Sequence, residues 1–113
     1  MYKIYHNPRC KKSRAGLQYL QEKGIDPEVR EYLKVLLVED ELKDLLVRLH
    51  KKPLDIVRTQ EEYYRKELKG KKFTDDEWVK IMIGNPKLIQ RPIVVKGPKA
   101  VIGDPASNID VLL

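Results

Sequence analysis

The sequence predicts an α/β protein, and three observations predict it. A β-branched and aromatic run at Tyr2–Tyr5 gives way to helical periodicity, followed by a second strand-like run from Val29 to Leu33. The stretch from about residue 34 to residue 90 reads almost wholly helical. Ile93–Val95 and Ala100–Ile102 then flank Lys96-Gly97-Pro98-Lys99, the pattern of a hairpin. The predicted order is βαβ, a helical insertion at about 34–90, and ββα, in a single domain of 113 residues.

Each element has a local reason. After Tyr5, His6-Asn7-Pro8 is turn chemistry, because Pro8 donates no ladder hydrogen bond and pushes Asn7 into an extended conformation. From about Ser13 the pattern is helical: Leu17 and Leu20 share a face, Gln18, Gln21, Glu22 and Lys23 are polar, and Gly24 is the stop. Strand, helix and strand form a βαβ unit with a right-handed crossover, which predicts a parallel pair at the sheet centre. Leu42, Leu45, Leu46 and Leu49 hold the spacing of one buried helix face, with Glu39, Asp40 and Glu41 in the first turn. Pro53 opens a short helix through Leu54, Ile56 and Val57, and Glu61–Leu68 forms another. Thr74-Asp75-Asp76-Glu77 is a capping box ahead of Trp78, Ile81 and Met82, and Gly84-Asn85-Pro86 ends that helix. The leucine stripe and Trp78 read as core, His50 as an exposed bystander, and Pro105–Leu113 as a terminal helix.

Composition narrows the function classes. With 23 basic and 17 acidic residues the chain carries +6, with a pI near 9.4, a balance suited to small anions, nucleic acid or acidic partners. The basic residues are dispersed and no nucleic-acid motif is present, so no nucleic-acid partner is expected. No apolar run approaches the length of a membrane span and no secretory leader opens the chain, so a cytoplasmic protein without a membrane partner is expected. No ligand cluster points to a metal, and none is expected. The single cysteine forbids an internal disulfide. If Cys10 does redox chemistry, the resolving thiol must come from another molecule.

Cys10 is the candidate centre. It falls where a strand gives way to a helix, and there the unpaired amides and the helix dipole favour a thiolate. Arg9, Lys11, Lys12 and Arg14 place four cations beside the sulfur, which argues against the buried, inert cysteine that a lone thiol usually is. Ser13 reads equally as a helix cap and as a contact to a bound anion. Arg58 reads equally as a solvated helix charge and as an anion ligand, whereas Arg91, before Pro92 at a strand start, leans toward function.

These residues carry a resemblance. Tyr5-His6-Asn7-Pro8-Arg9-Cys10 with Ser13-Arg14, Val57-Arg58, Phe73-Thr74-Asp75-Asp76, and Asn85 to Val95 resemble the glutaredoxin-dependent arsenate reductases along the whole chain. The resemblance implies a thioredoxin-like βαβ–ββα core carrying a helical insertion. It makes Cys10 the nucleophile toward arsenate, His6 its aid in ionising, and Arg58 and Arg91 the oxyanion ligands, with Ser13 and Arg14 also expected at the anion. It further implies a cis peptide at Arg91-Pro92. No bound cofactor is expected; glutathione and glutaredoxin are the external reductants, and a monomer is expected. Forked guanidinium donors and free helix amides suit such an anion on physical grounds too.

One position departs from the family pattern. Where a third arginine commonly precedes a proline after the last strand, this chain reads Gly103-Asp104-Pro105. An anion there loses one positive charge and faces a negative one, unless Asp104 points away and caps the terminal helix across Pro105. A second reading comes from another class: thioredoxin-like regulators that bind RNA polymerase share the Arg-Pro-Ile motif. Redox-sensing members typically use Cys-x-x-Cys, whereas this chain has Cys10-Lys11-Lys12-Ser13, so only a polymerase-binding role without an internal disulfide switch survives.

Overall fold

The computed structural model describes residues 1–113. It resolves into two compact units: Met1–Val35 with Arg91–Leu113, and Leu36–Gln90.

The first unit holds strands β1 (Tyr2–Tyr5), β2 (Glu28–Arg30), β3 (Ile93–Lys96) and β4 (Lys99–Ile102), helix α1 (Lys11–Glu22) and a C-terminal 3₁₀ helix, Ala106–Leu112. The sheet order is β2-β1-β3-β4; β1 runs parallel to β2 and antiparallel to β3, and β3 pairs antiparallel with β4. The parallel pair expected at the sheet centre is therefore displaced: the central pair is β1–β3, antiparallel, and β2 is an edge. The side chains explain this, since Ile4 and Val94 are fully buried in the central strands while Val29 is 45 % exposed. Ile4, Leu20, Val94, Ile109 and Leu112 form this unit's core, where each large side chain contributes about 1.5–3 kcal/mol.

Two boundaries differ from the sequence expectation. β2 covers Glu28–Arg30 rather than Val29–Leu33, because the Glu31 carbonyl accepts the Lys34 and Val35 amides and folds the chain into a turn. Tyr32, on that turn, is 1 % exposed and packs as core. Helix α1 begins at Lys11, two residues before the expected start, with Cys10 as its N-cap residue in extended conformation. It ends as expected: Gly24 takes φ +77°, the left-handed conformation that a glycine adopts without a Cβ penalty. The terminal helix expected over Pro105–Leu113 is a 3₁₀ helix at Ala106–Leu112, with Pro105 at its N-cap position and no side-chain cap, so Asp104 does not cap it.

The second unit contains α2 (Glu39–Leu49), α3 (Asp75–Gly84) and three single-turn segments. Leu42, Leu45, Leu46 and Leu49 are all buried, as the leucine spacing required, and Trp78, Val79 and Met82 of α3 are buried too. The capping box is present: the Glu77 amide donates to Thr74 Oγ1 and the Thr74 amide to Glu77 Oε1. The stretch is less helical than expected, since Pro53–Ile56 and Pro86–Leu88 are 3₁₀ turns and Tyr64–Leu68 is π-helical. The proline at each 3₁₀ start lacks the amide that a continuing ladder needs. His50 ends α2 in the left-handed region at φ 55° and is exposed. No helix is long and apolar enough to cross a membrane.

Candidate active site

The loop from His6 to Cys10 is built by its own backbone. The His6 amide donates to the Arg30 carbonyl at 2.9 Å, carrying β1's parallel pairing one residue past the strand. The Cys10 amide donates to the Asn7 carbonyl, and the Arg9 amide to Asn7 Oδ1, each at 3.0 Å. Asn7 thus closes a turn with both its main chain and its side chain. Arg14 Nη1 donates to the Pro8 carbonyl at 3.1 Å, clamping the loop from the first full turn of α1.

Ser13 lies fully buried beneath this turn. Its Oγ accepts the Asn7 amide at 3.0 Å and sits 2.7 Å from His6 Nδ1. It is not the helix cap, because Cys10 holds that position and Ser13 is already inside the first turn. Burial pushes the His6 pKa below its ordinary value, and the Glu31 charge opposes this without reversing it. Burial thus favours the neutral form of the imidazole.

Cys10 is partly exposed and forms no disulfide. Its burial pushes the thiol's pKa up, but the Ser13 and Lys12 amides and the Arg91 guanidinium outweigh that, and the net pKa lies below the ordinary thiol value. The sulfur thus sits at a helix start whose amides point at it, with Arg91 as a hydrogen-bonded cation. The clustered cations act otherwise than the sequence implied. Lys12 contributes through its amide while its ammonium pairs with Asp104 Oδ2 at 3.1 Å, and the Arg14 head reaches the Pro8 carbonyl.

Arg91 precedes a cis peptide to Pro92, the isomer implied by the resemblance; Asp104-Pro105 is cis as well. Pro92 is held between two glycines. A Cβ on Gly16 of α1 would lie 2.6 Å from Pro92 Cγ, and one on Gly103 would lie 3.1 Å from it. The Gly103 amide also donates to the Pro92 carbonyl at 2.8 Å. No sequence signal marked Gly16, because an isolated glycine in a helical pattern reads only as a weak position.

Arg58 lies in the second unit. Its amide donates to the Leu88 carbonyl at 2.7 Å, and its guanidinium pairs with Glu61 Oε2 at 2.9 Å, both side chains being mostly buried. It is not the solvated helix charge that the sequence allowed. The structure thus brings Cys10, His6, Ser13, Arg14 and Arg91 together in the first unit. Gly16, the Lys12 amide and Glu61 are the residues that sequence reasoning missed, whereas Asn7 closes the turn that the His6-Asn7-Pro8 run predicts. No group of three or more His, Cys, Asp or Glu is arranged to hold a metal ion.

Comparison with known proteins bears on this arrangement. The ArsC family model matches residues 5–112. An arsenate reductase of Neisseria meningitidis is 37 % identical over 113 residues, covering 98 % of this chain and 97 % of that protein. The uncharacterized protein YfgD of Escherichia coli is 40 % identical over 109 residues, covering 95 % of this chain and 92 % of that one. Among solved structures, an arsenate reductase from Vibrio cholerae superposes with a TM-score of 0.93 at 38 % identity, covering 99 % of this chain and 97 % of that one.

Proposed function

The chain belongs to the ArsC family, with its thioredoxin-like fold, and from that premise we propose that it is an oxidoreductase that reduces arsenate to arsenite through Cys10 and an external thiol. The observation that carries this reading is the state of Cys10, a partly exposed thiol drawn toward thiolate by two helix amides and the Arg91 guanidinium.

The chemistry follows in two stages. The Cys10 thiolate attacks the pentavalent arsenic and an oxygen leaves as water, giving a Cys10 S–As bond. Glutathione then attacks. As its sulfur bonds to Cys10 Sγ, the S–As pair of electrons stays on arsenic, which departs as trivalent arsenite. Glutaredoxin reduces the resulting Cys10–glutathione disulfide by thiol exchange and restores the thiolate. Two thiols are oxidised for each arsenic reduced, so the electrons balance without a metal or bound organic cofactor.

The supporting residues divide by what they touch. Arg91 offers a forked donor pair to anion oxygens as well as to sulfur. The α1 amides bind the thiolate in the resting site and stabilise charge as it moves onto oxygen. Ser13, His6 and Asn7 hold the loop that aims Cys10. Arg58 is an anion ligand on the strength of the resemblance, and its pairing with Glu61 fixes its guanidinium in one orientation. The test is arsenite production from arsenate with glutathione and glutaredoxin, with selenate and phosphate as competitors. Turnover that requires Cys10 supports the reading; wild-type protein without turnover under these conditions overturns it.

A further inference from the structure

Within the second unit, Arg58 and Glu61 form an ion pair that is largely withdrawn from water. Arg58 Nη1 lies 2.9 Å from Glu61 Oε2, with the side chains only 17 % and 23 % exposed. The neighbouring pair Lys66–Glu62 is 69 % and 68 % exposed, an ordinary surface contact. Taking two charges out of water offsets most of their attraction, so a pair like Arg58–Glu61 adds little to stability. What it supplies is geometry.

The backbone beneath the pair is fixed on both sides. Val57 and Ile89, both buried, form an antiparallel bridge. Around it the Arg58 amide donates to the Leu88 carbonyl at 2.7 Å, and the Gln90 amide to the Ile56 carbonyl at 2.9 Å. The bridged segment runs on from Gln90 directly into Arg91 in the chain. On the other side the Glu61 amide donates to the Arg58 carbonyl at 3.2 Å, closing a turn that returns the Glu61 carboxylate to Arg58. The backbone of Arg58 is therefore set, but its long side chain does not keep one rotamer unaided. Glu61 is its one ion-pair partner. A single carboxylate does not exhaust the donors of a guanidinium, so donors remain for a ligand. We propose that Glu61 is a positioning residue, holding the Arg58 guanidinium in the orientation in which its remaining donors meet the oxyanion. This rests on the reading above that Arg58 is an oxyanion ligand. The Glu61 charge itself opposes that of an anion, so its benefit is orientation: a fork already ordered loses less freedom when the anion binds.

The experiment titrates inorganic phosphate, an oxyanion that needs no turnover, into wild-type protein and variants by calorimetry, alongside arsenate kinetics. Glu61→Ala should weaken phosphate binding about tenfold and raise KM for arsenate by a similar factor. It should leave KM for glutathione and the alkylation midpoint of Cys10 where they are. Glu61→Gln keeps an oxygen that accepts from Nη1, so it should recover most of the lost affinity, and it guards against an alanine variant that folds poorly. In an Arg58→Ala background, Glu61→Ala should weaken binding no further, because it acts through Arg58. A Glu61→Ala protein that melts lower but binds phosphate as wild type does overturns the proposal, as does tighter binding by both Glu61 variants, which would make the carboxylate a charge mask. The readings fail separately. Arg58→Ala with an unchanged phosphate Kd removes Arg58 as a ligand and Glu61 with it, whereas weakening by Arg58→Ala but not by Glu61→Ala removes Glu61 alone. Phosphate affinities that follow the expected order without arsenate turnover remove only the reaction.

Discussion

Asp104 Oδ2 lies 3.1 Å from Lys12 Nζ, so this carboxylate is paired with a cation from the first turn of α1. Both side chains are solvent-exposed, at 38 % and 60 %, so the pair is worth at most about 1 kcal/mol. Asp104 thus consumes one of the charges that would otherwise draw an anion toward Cys10. Asp104→Asn releases the Lys12 ammonium and should lower KM for arsenate about two- to fivefold at low salt, with the gain shrinking as salt screens it. Melting temperature should move by no more than a few degrees. A KM that does not respond at any ionic strength would show that neither charge reaches the substrate.

The depressed Cys10 pKa gives a pH dependence with a definite sign. A thiol with lowered pKa remains thiolate to lower pH, so iodoacetamide alkylation should stay fast below the midpoint of a free-cysteine control and decline only as pH falls through the folded-state value. Arg91→Ala removes both a hydrogen bond and a charge from the sulfur and should move the midpoint upward. Arg91→Lys keeps the charge but not the fork, so it should restore much of the midpoint while recovering little kcat/KM for arsenate. A Cys10 midpoint at or above that of the control would remove the basis for its nucleophilic role.

Ser13→Ala tests the buried link between β1 and α1. The substitution strips Oγ from the Asn7 amide and from His6 Nδ1, and an unmet buried polar group costs about 1–3 kcal/mol. For a chain of this length that corresponds to roughly 4–12 °C in melting temperature. His6 adds a sign of its own. Its pKa is lowered in the fold, so the neutral ring's contribution is fully present above the unfolded value near 6.5 and is lost as pH falls below it. Stability measured from pH 8 to pH 5 should therefore decline, and His6→Gln should flatten that decline. A flat wild-type profile would mean that the ring titrates as freely folded as unfolded.

What the sequence made legible, and what it did not, divides along the range of the interactions involved. β1, the end of α1 at Gly24, the Thr74–Glu77 capping box and the β3–β4 hairpin rest on contacts a few residues apart, and each matched its expectation. The position of Cys10 at a helix start was legible for the same reason. The short length of β2, its edge position, the 3₁₀ and π turns and the Lys12–Asp104 pair were not, because tertiary neighbours decide them. Ser13 shows the limit well. Both sequence readings gave it a surface role at the helix start, and neither placed it buried against His6 and Asn7. The four cations around Cys10 illustrate the same point in reverse. Their proximity in sequence was real, but Lys12 and Arg14 direct their heads to Asp104 and Pro8, while the charge acting on sulfur comes from Arg91, about 80 residues away in sequence.

Gly16 provides the sharpest test of how the site is packed. In an ordinary helix interior, Gly→Ala stabilises by about 0.5–1 kcal/mol, because alanine has less backbone entropy to lose. At position 16 the new Cβ would lie 2.6 Å from Pro92 Cγ, and a proline ring cannot swing aside as a flexible side chain can. Either α1 or Pro92 must shift, and overpacking of this kind costs about 1–3 kcal/mol. The sign of the usual substitution is therefore reversed. A shift of Pro92 also moves Arg91, so kcat/KM for arsenate should fall together with the melting temperature. Gly84, at the end of α3, is the matched control: its φ is not positive and a Cβ there meets nothing within 4 Å. Gly84→Ala should leave activity unchanged and raise the melting temperature slightly. If Gly16→Ala stabilises the protein as Gly84→Ala does, the close approach of α1 to Pro92 does not exist in solution, and Gly16 plays no part in placing Arg91 beside Cys10.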